Sequence, residues 1–410
     1  MNQRTSRPAR LLAAAVVLLS LAAARARAGE SPTPTSPVTP VATTATAARP
    51  NGPGLKIRVF AMGQADSMLI VGPESSVLVD CGAPNDANKD VYKHVKDEIK
   101  HLTGRAHVDA LVVTHFHSDH TGEAADAEHP HASGIFALFA EGVTVTSIID
   151  HGDDYGSWGE ETHPHKQWVA ALPGWKEKHV YQDRHTPKLG EKLSLGGGAE
   201  LRFVAVGGNG VLQRDAKEGR FHDGATPSEN DYSIAFVASL GNFEFYSGGD
   251  LSGEDTQIHK GRAGKKGTSR RHDVYDDIET GVAPMVGNIE VMRIDHHGSP
   301  HSTNEAFAST LKPEVSIISC GANNPYHHPS PDVVARLQAY GPVIATSGLS
   351  ADWKGRADAP KIGGDLSVTV SGDGATYVIA GKDGTVLYKG KSFSDAEEAD
   401  GLDHPGKPGP

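Results

Sequence analysis

Four side chains of metal-binding type crowd into six residues of this chain. Residues 111–123 read LVVTHFHSDHTGE, so His115, His117, Asp119 and His120 follow directly on the apolar run Leu111-Val112-Val113. Along extended backbone the side chains alternate, which puts His115 and His117 on one side. Ser118 and Asp119 favour a turn, and a turn there carries Asp119 and His120 toward a second centre close by. Imidazole and carboxylate together suit divalent cations of the zinc and manganese type. Two such cations side by side need a shared carboxylate and more imidazole, and two later strand ends offer them. Phe243–Asp250 reads FEFYSGGD, an apolar strand that ends in glycines and Asp250. Glu290–Ser299 reads EVMRIDHHGS, a second strand that runs into His296 and His297. Alone, Gly-Gly-Asp reads as a turn and a histidine pair as surface or core. Beside the HxHxDH segment each becomes a ligand candidate, because the cluster needs partners from separate strands.

The elements that must position these groups are legible in outline. Runs bounded by Gly, Pro or Asn and rich in β-branched residues predict strands over 55–62, 68–71, 76–81, 110–114, 144–150, 200–206, 232–239, 243–247, 290–295, 315–320 and 343–346. Helices are expected over 86–102, 134–140, 166–171, 302–311 and 331–340. Early strands neighbour one another as hairpins and later ones alternate with helices. That order predicts one α/β domain with more than one sheet layer.

Composition sets the outer bounds. The chain has 410 residues, of which 38% are hydrophobic and 22% charged, which fits a globular domain rather than a disordered tail or a membrane bundle. Two cysteines exclude a cysteine-built zinc site and a disulfide scaffold. Cys81 and Cys320 each end an expected strand, and either pair in an oxidising compartment or stay as buried thiols. Residues 1–28 combine Arg4, Arg7 and Arg10, a short apolar run from Leu11 to Ala24, and Ala26-Arg27-Ala28. This reads as a signal peptide, which predicts a secreted or periplasmic protein with no stable membrane insertion after cleavage. Residues 29–53 are rich in Pro, Thr and Ala and read as a linker, 54–392 as the folded domain, and 393–410 as a disordered acidic tail. Loss of the five signal-peptide arginines takes the formal net charge from −12 to −17, and such a surface repels nucleic acid at long range. A basic run with Lys265, Lys266, Arg270 and Arg271 is either a solvated loop or a local phosphate contact.

HxHxDH at 115–120, a later strand–Gly-Asp at 250 and a still later strand–His-His-Gly-Ser at 296–299 resemble the metallo-β-lactamase superfamily. The resemblance is closest to the nuclease domain of ComEC-type DNA-uptake proteins, through Gly63–Ser67, Leu78–Gly82, Ile317–Asn324 and Tyr326–Pro329. Secreted phosphorylcholine esterases of the superfamily share much of the pattern. The family implies a four-layer αββα sandwich and two divalent metal ions, zinc first and manganese as the alternative. It implies that His115 and His117 hold the first metal, that Asp119 and His120 hold the second, and that Asp250 bridges them. A histidine of the 296–297 pair completes the second site, with His297 favoured by analogy. The superfamily usually adds one more histidine to the first metal just before the strand that leads to Gly-Asp. Here that stretch carries Asn230, as the competence branch tends to, and an amide oxygen is a harder ligand that favours manganese. By the same resemblance a metal-activated hydroxide attacks a phosphodiester. Asp119 orients it, and His328 either donates to the phosphoryl group or packs beside Pro329. Gln64 and Asp66 lie behind the ligands or at the substrate rim, or else form a structural turn. Asp80 hydrogen-bonds a metal-binding histidine. The function expected is a secreted metal-dependent phosphodiesterase or nuclease acting on a phosphodiester such as extracellular DNA. A phosphorylcholine-esterase-like or lactone hydrolase on the same metals is the alternative, and a non-catalytic metal-binding protein comes last. No protein partner follows from the sequence.

Overall fold

The computed structural model describes residues 54–83, 90–127, 129–153, 162–207, 228–253, 277–322 and 324–394. The expected signal peptide, the linker, the basic run and nearly all of the tail lie outside the described residues. None of the described helices is long and apolar enough to cross a membrane.

Two sheets stack face to face. The first has the order β17 (Val386–Lys391), β16 (Thr376–Ala380), β15 (Leu366–Val370), β1 (Leu55–Val59), β2 (Ser67–Val71), β3 (Ser76–Cys81), β4 (His107–Val112), β5 (Thr144–Ile149) and β6 (Asp183–His185). The second has the order β14 (Lys361–Ile362), β13 (Val343–Ala345), β12 (Val315–Ile318), β11 (Val291–Arg293), β10 (Phe243–Ser247), β9 (Ala235–Leu240), β8 (Ala199–Ala205) and β7 (Lys192–Gly196). In each sheet one half is antiparallel. The other half is parallel, from β3 to β6 and from β10 to β14. Parallel strands need crossovers, and most of the helices are those crossovers.

Side-chain alternation divides the core into three layers. Between the sheets, Ile57, Val79, Val112 and Val368 of the first meet Phe203, Phe236, Phe245 and Ile317 of the second. On the outer face of the first sheet, Leu69, Leu78 and Leu111 pack under α1 (Val91–Thr103), α3 (Gly134–Ala140) and α4 (His163–Glu177). On the outer face of the second, Tyr246, Met292 and Ile318 pack under α5 (Glu279–Val286), α6 (Glu305–Leu311) and α7 (Pro331–Gln338). The result is a helix–sheet–sheet–helix sandwich in one domain, the four-layer αββα arrangement expected from the resemblance. Helix α1 shows the logic locally. Tyr92, Val95 and Ile99 recur at helical spacing and are its buried residues. Gly104 ends it in the left-handed conformation, with its N–H on the Lys100 carbonyl.

Several elements differ from expectation. β14 to β17 follow residue 346, where no strand was expected. The segments LSVTV and TYVIA do alternate by twos, and each precedes a tight Asp-Gly turn, so the signal was present but short. β15 pairs with β1, setting Ile57 beside Val368, so the C-terminal segment completes the sheet begun by the first strand. Helix α5 contains Gly281 and Pro284, which weaken helix propensity, and tertiary packing of Val282, Ala283 and Val286 overrides it. Cys81 is buried under the helices of the first sheet and Cys320 under those of the second. Both are free thiols, so the pairing alternative is set aside. Burial pushes the Cys320 thiol up to about 12 and Cys81 higher still, so neither is a ready nucleophile.

Candidate metal centre

The carboxyl ends of β3, β4, β10 and β11 face one another across the sandwich edge, and the chemistry-bearing residues leave the sheets there. Phe116 separates the first two histidines. Its ring is buried against His151, His165 and Trp168, at centroid distances of 4.7, 4.6 and 5.7 Å. That anchor turns His115 and His117 together to the other side, where His115 Nε2 and His117 Nδ1 stand 3.0 Å apart. The chain then enters α2 (Ser118–Thr121), which carries Asp119 and His120.

Asp250 is the hub. It follows β10 and the pair Gly248-Gly249, and it is buried. Gly249 has φ of +60°, and a Cβ there would meet Thr114 Cβ at 2.8 Å, so glycine admits the close crossing of the two strand ends. Asp250 Oδ1 lies 3.2 Å from His120 Nε2. Asp250 Oδ2 lies 3.9 Å from His115 Nε2, 3.8 Å from His296 Nε2 and 3.7 Å from His297 Nε2. His296 and His297 both take left-handed backbone, with φ of +49° and +52°. Two consecutive non-glycine residues in that region are costly, and such strain clusters at functional sites. Its effect here is that neighbouring residues both reach Asp250. His297 also lies 3.2 Å from Asp119 Oδ2, whereas His296 lies 3.2 Å from the Asn230 amide. The structure therefore groups Asp119, His120 and His297 on one side of Asp250. It groups His296 with Asn230 as a separate pair, and both histidines face the shared carboxylate.

Hydrogen bonds behind the ligand atoms fix several rings. Asp80 Oδ2 is 2.8 Å from His120 Nδ1, which leaves Nε2 free to ligate. Asp80 is itself held by the Thr114 N–H and hydroxyl, at 2.8 and 2.7 Å. His297 Nδ1 donates to the Ser319 carbonyl at 2.7 Å and presents Nε2 to the site. Glu229, beside Asn230, accepts the Phe116 N–H at 2.7 Å and pairs with His151 at 3.0 Å, which ties the turn at 229–232 to the first histidines.

Gln64 and Asp66, expected behind the ligands, at the rim or in a structural turn, part company. Asp66 is buried within the cluster, with Oδ2 3.7 Å from His120 Nε2 and 3.6 Å from His297 Nδ1. Ligand atoms of Asp66, His120, Asp250 and His297 all fall within 4.8 Å of one another. Of the alternatives for Asp66, this favours a place beside the ligand atoms over the substrate rim. Its partner is Arg293, at the end of β11, which also donates to the Gly249 carbonyl and stands 3.9 Å from Asp250 Oδ1. Arg293 was not expected, although a single cation among the apolar residues of VMRI was the signal. Gln64 accepts the Gly321 N–H at 3.2 Å, a tie between two turns, as the structural-turn alternative expects. His328 is buried, and its ring meets that of His296 edge-on at 5.7 Å. Lys265, Lys266, Arg270 and Arg271 lie outside the described residues.

The electrostatics suit cations. Burial, aided by the charge of His120, holds His115 well below the ordinary histidine range, so its ring is neutral. Burial lowers His296 to about 4 and His328 to about 3. For Asp119, burial opposes ionisation, but the His297 hydrogen bond and the nearby imidazoles hold the carboxyl at about 2. Asp250 is likewise kept ionised, against burial, by His120, His297 and His296. His120 Nε2, Asp250 Oδ1 and Asn230 Oδ1 are buried and make no well-formed hydrogen bond among the described residues. Buried polar atoms without partners, drawn from imidazole, carboxylate and amide, are what a divalent metal centre satisfies. The donor set fits two ions.

The sequence profile of the metallo-β-lactamase superfamily matches residues 61–131, which include the HxHxDH segment and Asp66. The chain carries a metallo-β-lactamase superfamily domain. It is 25% identical over 297 residues to ComE operon protein 3 of Bacillus subtilis (strain 168), covering 70% of this chain and 31% of that protein. It is 27% identical over 129 residues to Recombination protein 2 of Haemophilus influenzae, covering 32% of this chain and 14% of that protein. The chain thus spans less than a third of the length of these curated relatives. Among solved structures it is similar to the metallo-β-lactamase fold protein YhfI from Bacillus subtilis, at 14% identity and a TM-score of 0.40, covering 73% of this chain and 98% of that one. A diphosphatase of the PhnP family is similar at 14% identity and a TM-score of 0.37, covering 72% and 95%.

Proposed function

We propose that this metallo-β-lactamase-fold hydrolase is a secreted phosphodiesterase that cleaves DNA. The observation that carries the hydrolytic reading is the convergence of His115, His120, His296 and His297 on the buried carboxylate of Asp250, with Asp119 against His297. His115, His117 and His296, with the Asn230 amide, would hold one ion. Asp119, His120 and His297 would hold the other, and Asp250 would serve both. When bound, two divalent ions supply an acidified water and a Lewis acid for a phosphoryl oxygen.

The chain's own groups do the rest. Asp119 stays ionised and accepts a proton from the attacking water while it orients that water. Asp80 and Ser319 fix the rings of His120 and His297. His328 is held neutral, and its buried Nδ1 has no hydrogen-bond partner among the described residues. A neutral imidazole so placed donates to a phosphoryl oxygen or to the leaving group.

Three features support a nucleic-acid diester over other esters. Asn230 replaces imidazole with a harder donor, which suits manganese and phosphate oxygen. The relatives include a protein named for recombination, a process on DNA. Lys265, Lys266, Arg270 and Arg271 supply four cations between the Asp250 and His296 segments, a local counter-charge on a chain of formal net charge −12. The N-terminal 28 residues supply the export address in this reading.

The test is cleavage of bis-p-nitrophenyl phosphate and of plasmid DNA by the full chain with zinc or manganese. Both reactions are expected, and Asp119→Ala should lose both. Undiminished cleavage by that variant would show that the centre lies elsewhere.

A further inference from the structure

Beside the metal centre, a carboxylate with the chemistry of a ligand is already held by a guanidinium. Asp66 and Arg293 are both buried, at 7% and 2% exposure. Arg293 Nε donates to Asp66 Oδ1 at 3.2 Å, and Nη2 pairs with Oδ2. The third nitrogen, Nη1, donates to the Gly249 carbonyl. The planar fork of arginine thus covers both oxygens of one carboxylate and ties them to the residue before Asp250. Burial lowers the guanidinium to about 10, which leaves it charged at neutral pH.

Asp66 nonetheless stands within reach of the donors assigned to the second ion. Its Oδ2, the oxygen that Nη2 covers, is 3.7 Å from His120 Nε2, and that nitrogen is 3.2 Å from Asp250 Oδ1. The Asp66 N–H donates to the Asp119 carbonyl at 2.9 Å, so the backbone also holds residue 66 against the ligand turn. In the two-ion reading that ion already has four protein donors, from Asp119, His120, His297 and Asp250. A fifth from Asp66 would fill the place that water or a phosphoryl oxygen must take. Hydrolytic metal sites keep such a place open, whereas structural sites close it. A buried carboxylate deprived of its cation is costly, and a divalent ion close by is the partner that would relieve it.

We infer that Arg293 is a positioning residue that keeps Asp66 off the second ion and so holds a coordination place open for water and substrate. This rests on the two-ion reading above and adds to it the means by which the site stays open. Lysine is a poor substitute, because a point charge covers one carboxylate oxygen and releases the other.

The experiment uses the full chain with manganese or cobalt(II). Affinity is read by competition against a chromophoric chelator, coordination by the visible absorption of bound cobalt, and turnover with bis-p-nitrophenyl phosphate. Arg293→Met should bind metal about 10-fold or more tightly, because the charge and number of the ligands both rise. Its cobalt absorption should weaken as the coordination number increases, and kcat should fall although the ions stay bound. A merely structural arginine gives the opposite change in affinity, since a loosened site holds metal less well. Adding Asp66→Asn to Arg293→Met removes the released carboxylate and should bring affinity and absorption back toward wild type. Affinity that is equal or lower in Arg293→Met overturns the inference and leaves the two-ion reading intact. So does tighter binding with unchanged absorption, or tighter binding that survives in the double variant. Where circular dichroism shows Arg293→Met unfolded, Arg293→Lys carries the test: a smaller rise in affinity supports the inference, and no rise overturns it. A wild type that binds no metal overturns both this inference and the two-ion reading.

Discussion

The backbone of Gly82 lies directly against the peptide that joins Asp119 to His120. A Cβ at position 82 would overlap the Asp119 carbonyl and stand 2.6 Å from the His120 nitrogen. The same contact is stitched by hydrogen bonds, with the Asp66 N–H donating to the Asp119 carbonyl and the Gly82 N–H to the Asp66 carbonyl, both at 2.9 Å. The end of β3 is thus the surface on which the ligand turn is moulded. Gly82→Ala should displace that turn, destabilise the fold by about 1–3 kcal/mol as an overpacked core position does, and lower bound metal. Denaturation midpoints with elemental analysis of the same sample measure both effects. Normal values for both would mean that the turn has room to yield.

In the proposed reading Asp250 is the carboxylate that both ions share. Asp250→Ala should reduce bound metal far more than Asn230→Ala, which removes one donor from one side. Inductively coupled plasma mass spectrometry after dialysis would read the stoichiometry directly. Equal retention by the two variants would deny Asp250 its central place.

Asp80 touches no substrate in this arrangement and acts through His120. Asp80→Ala should weaken metal affinity about 10- to 100-fold while the fold persists, since an outer partner orients its ligand and raises its basicity. Competition against a chromophoric chelator gives the affinity, and circular dichroism checks the fold. An unchanged affinity would show that packing alone orients the ring.

Far from the centre, Glu290 is buried at the start of β11, and its carboxyl is pushed up to about 9, first by burial and then by the nearby Glu314. Its backbone partner, the Glu244 N–H at 2.7 Å, works the other way. A folded-state value above the ordinary 4.5 means that the native state holds the proton more tightly than the unfolded chain. The stabilisation is full below the unfolded value and is lost as pH rises toward about 9. Glu290→Gln should therefore gain stability relative to the wild type across that window, measured by denaturant titration at several pH values. A difference that stays constant with pH would contradict the assignment.

The sequence alone determined the ligand types and the strand ends that bear them. HxHxDH after Leu111-Val112-Val113 is a local pattern, and alternation with a turn fixes its geometry within a few residues. The αββα order came the same way, from local runs and from the resemblance they carry, although the short C-terminal strands and α5 escaped because their signals were brief or contradicted by Gly and Pro. Tertiary structure alone decided which partners the quartet meets. Whether His296 or His297 faces Asp119 depends on two left-handed residues that only the surrounding packing can hold. Asp66 enters the cluster because β2, β3 and β11 bring residues 66, 80 and 293 to one edge, a proximity that no spacing along the chain encodes. Local pattern is read within a few residues, whereas a site assembled from strand ends hundreds of positions apart is fixed only when the sheets close on one another.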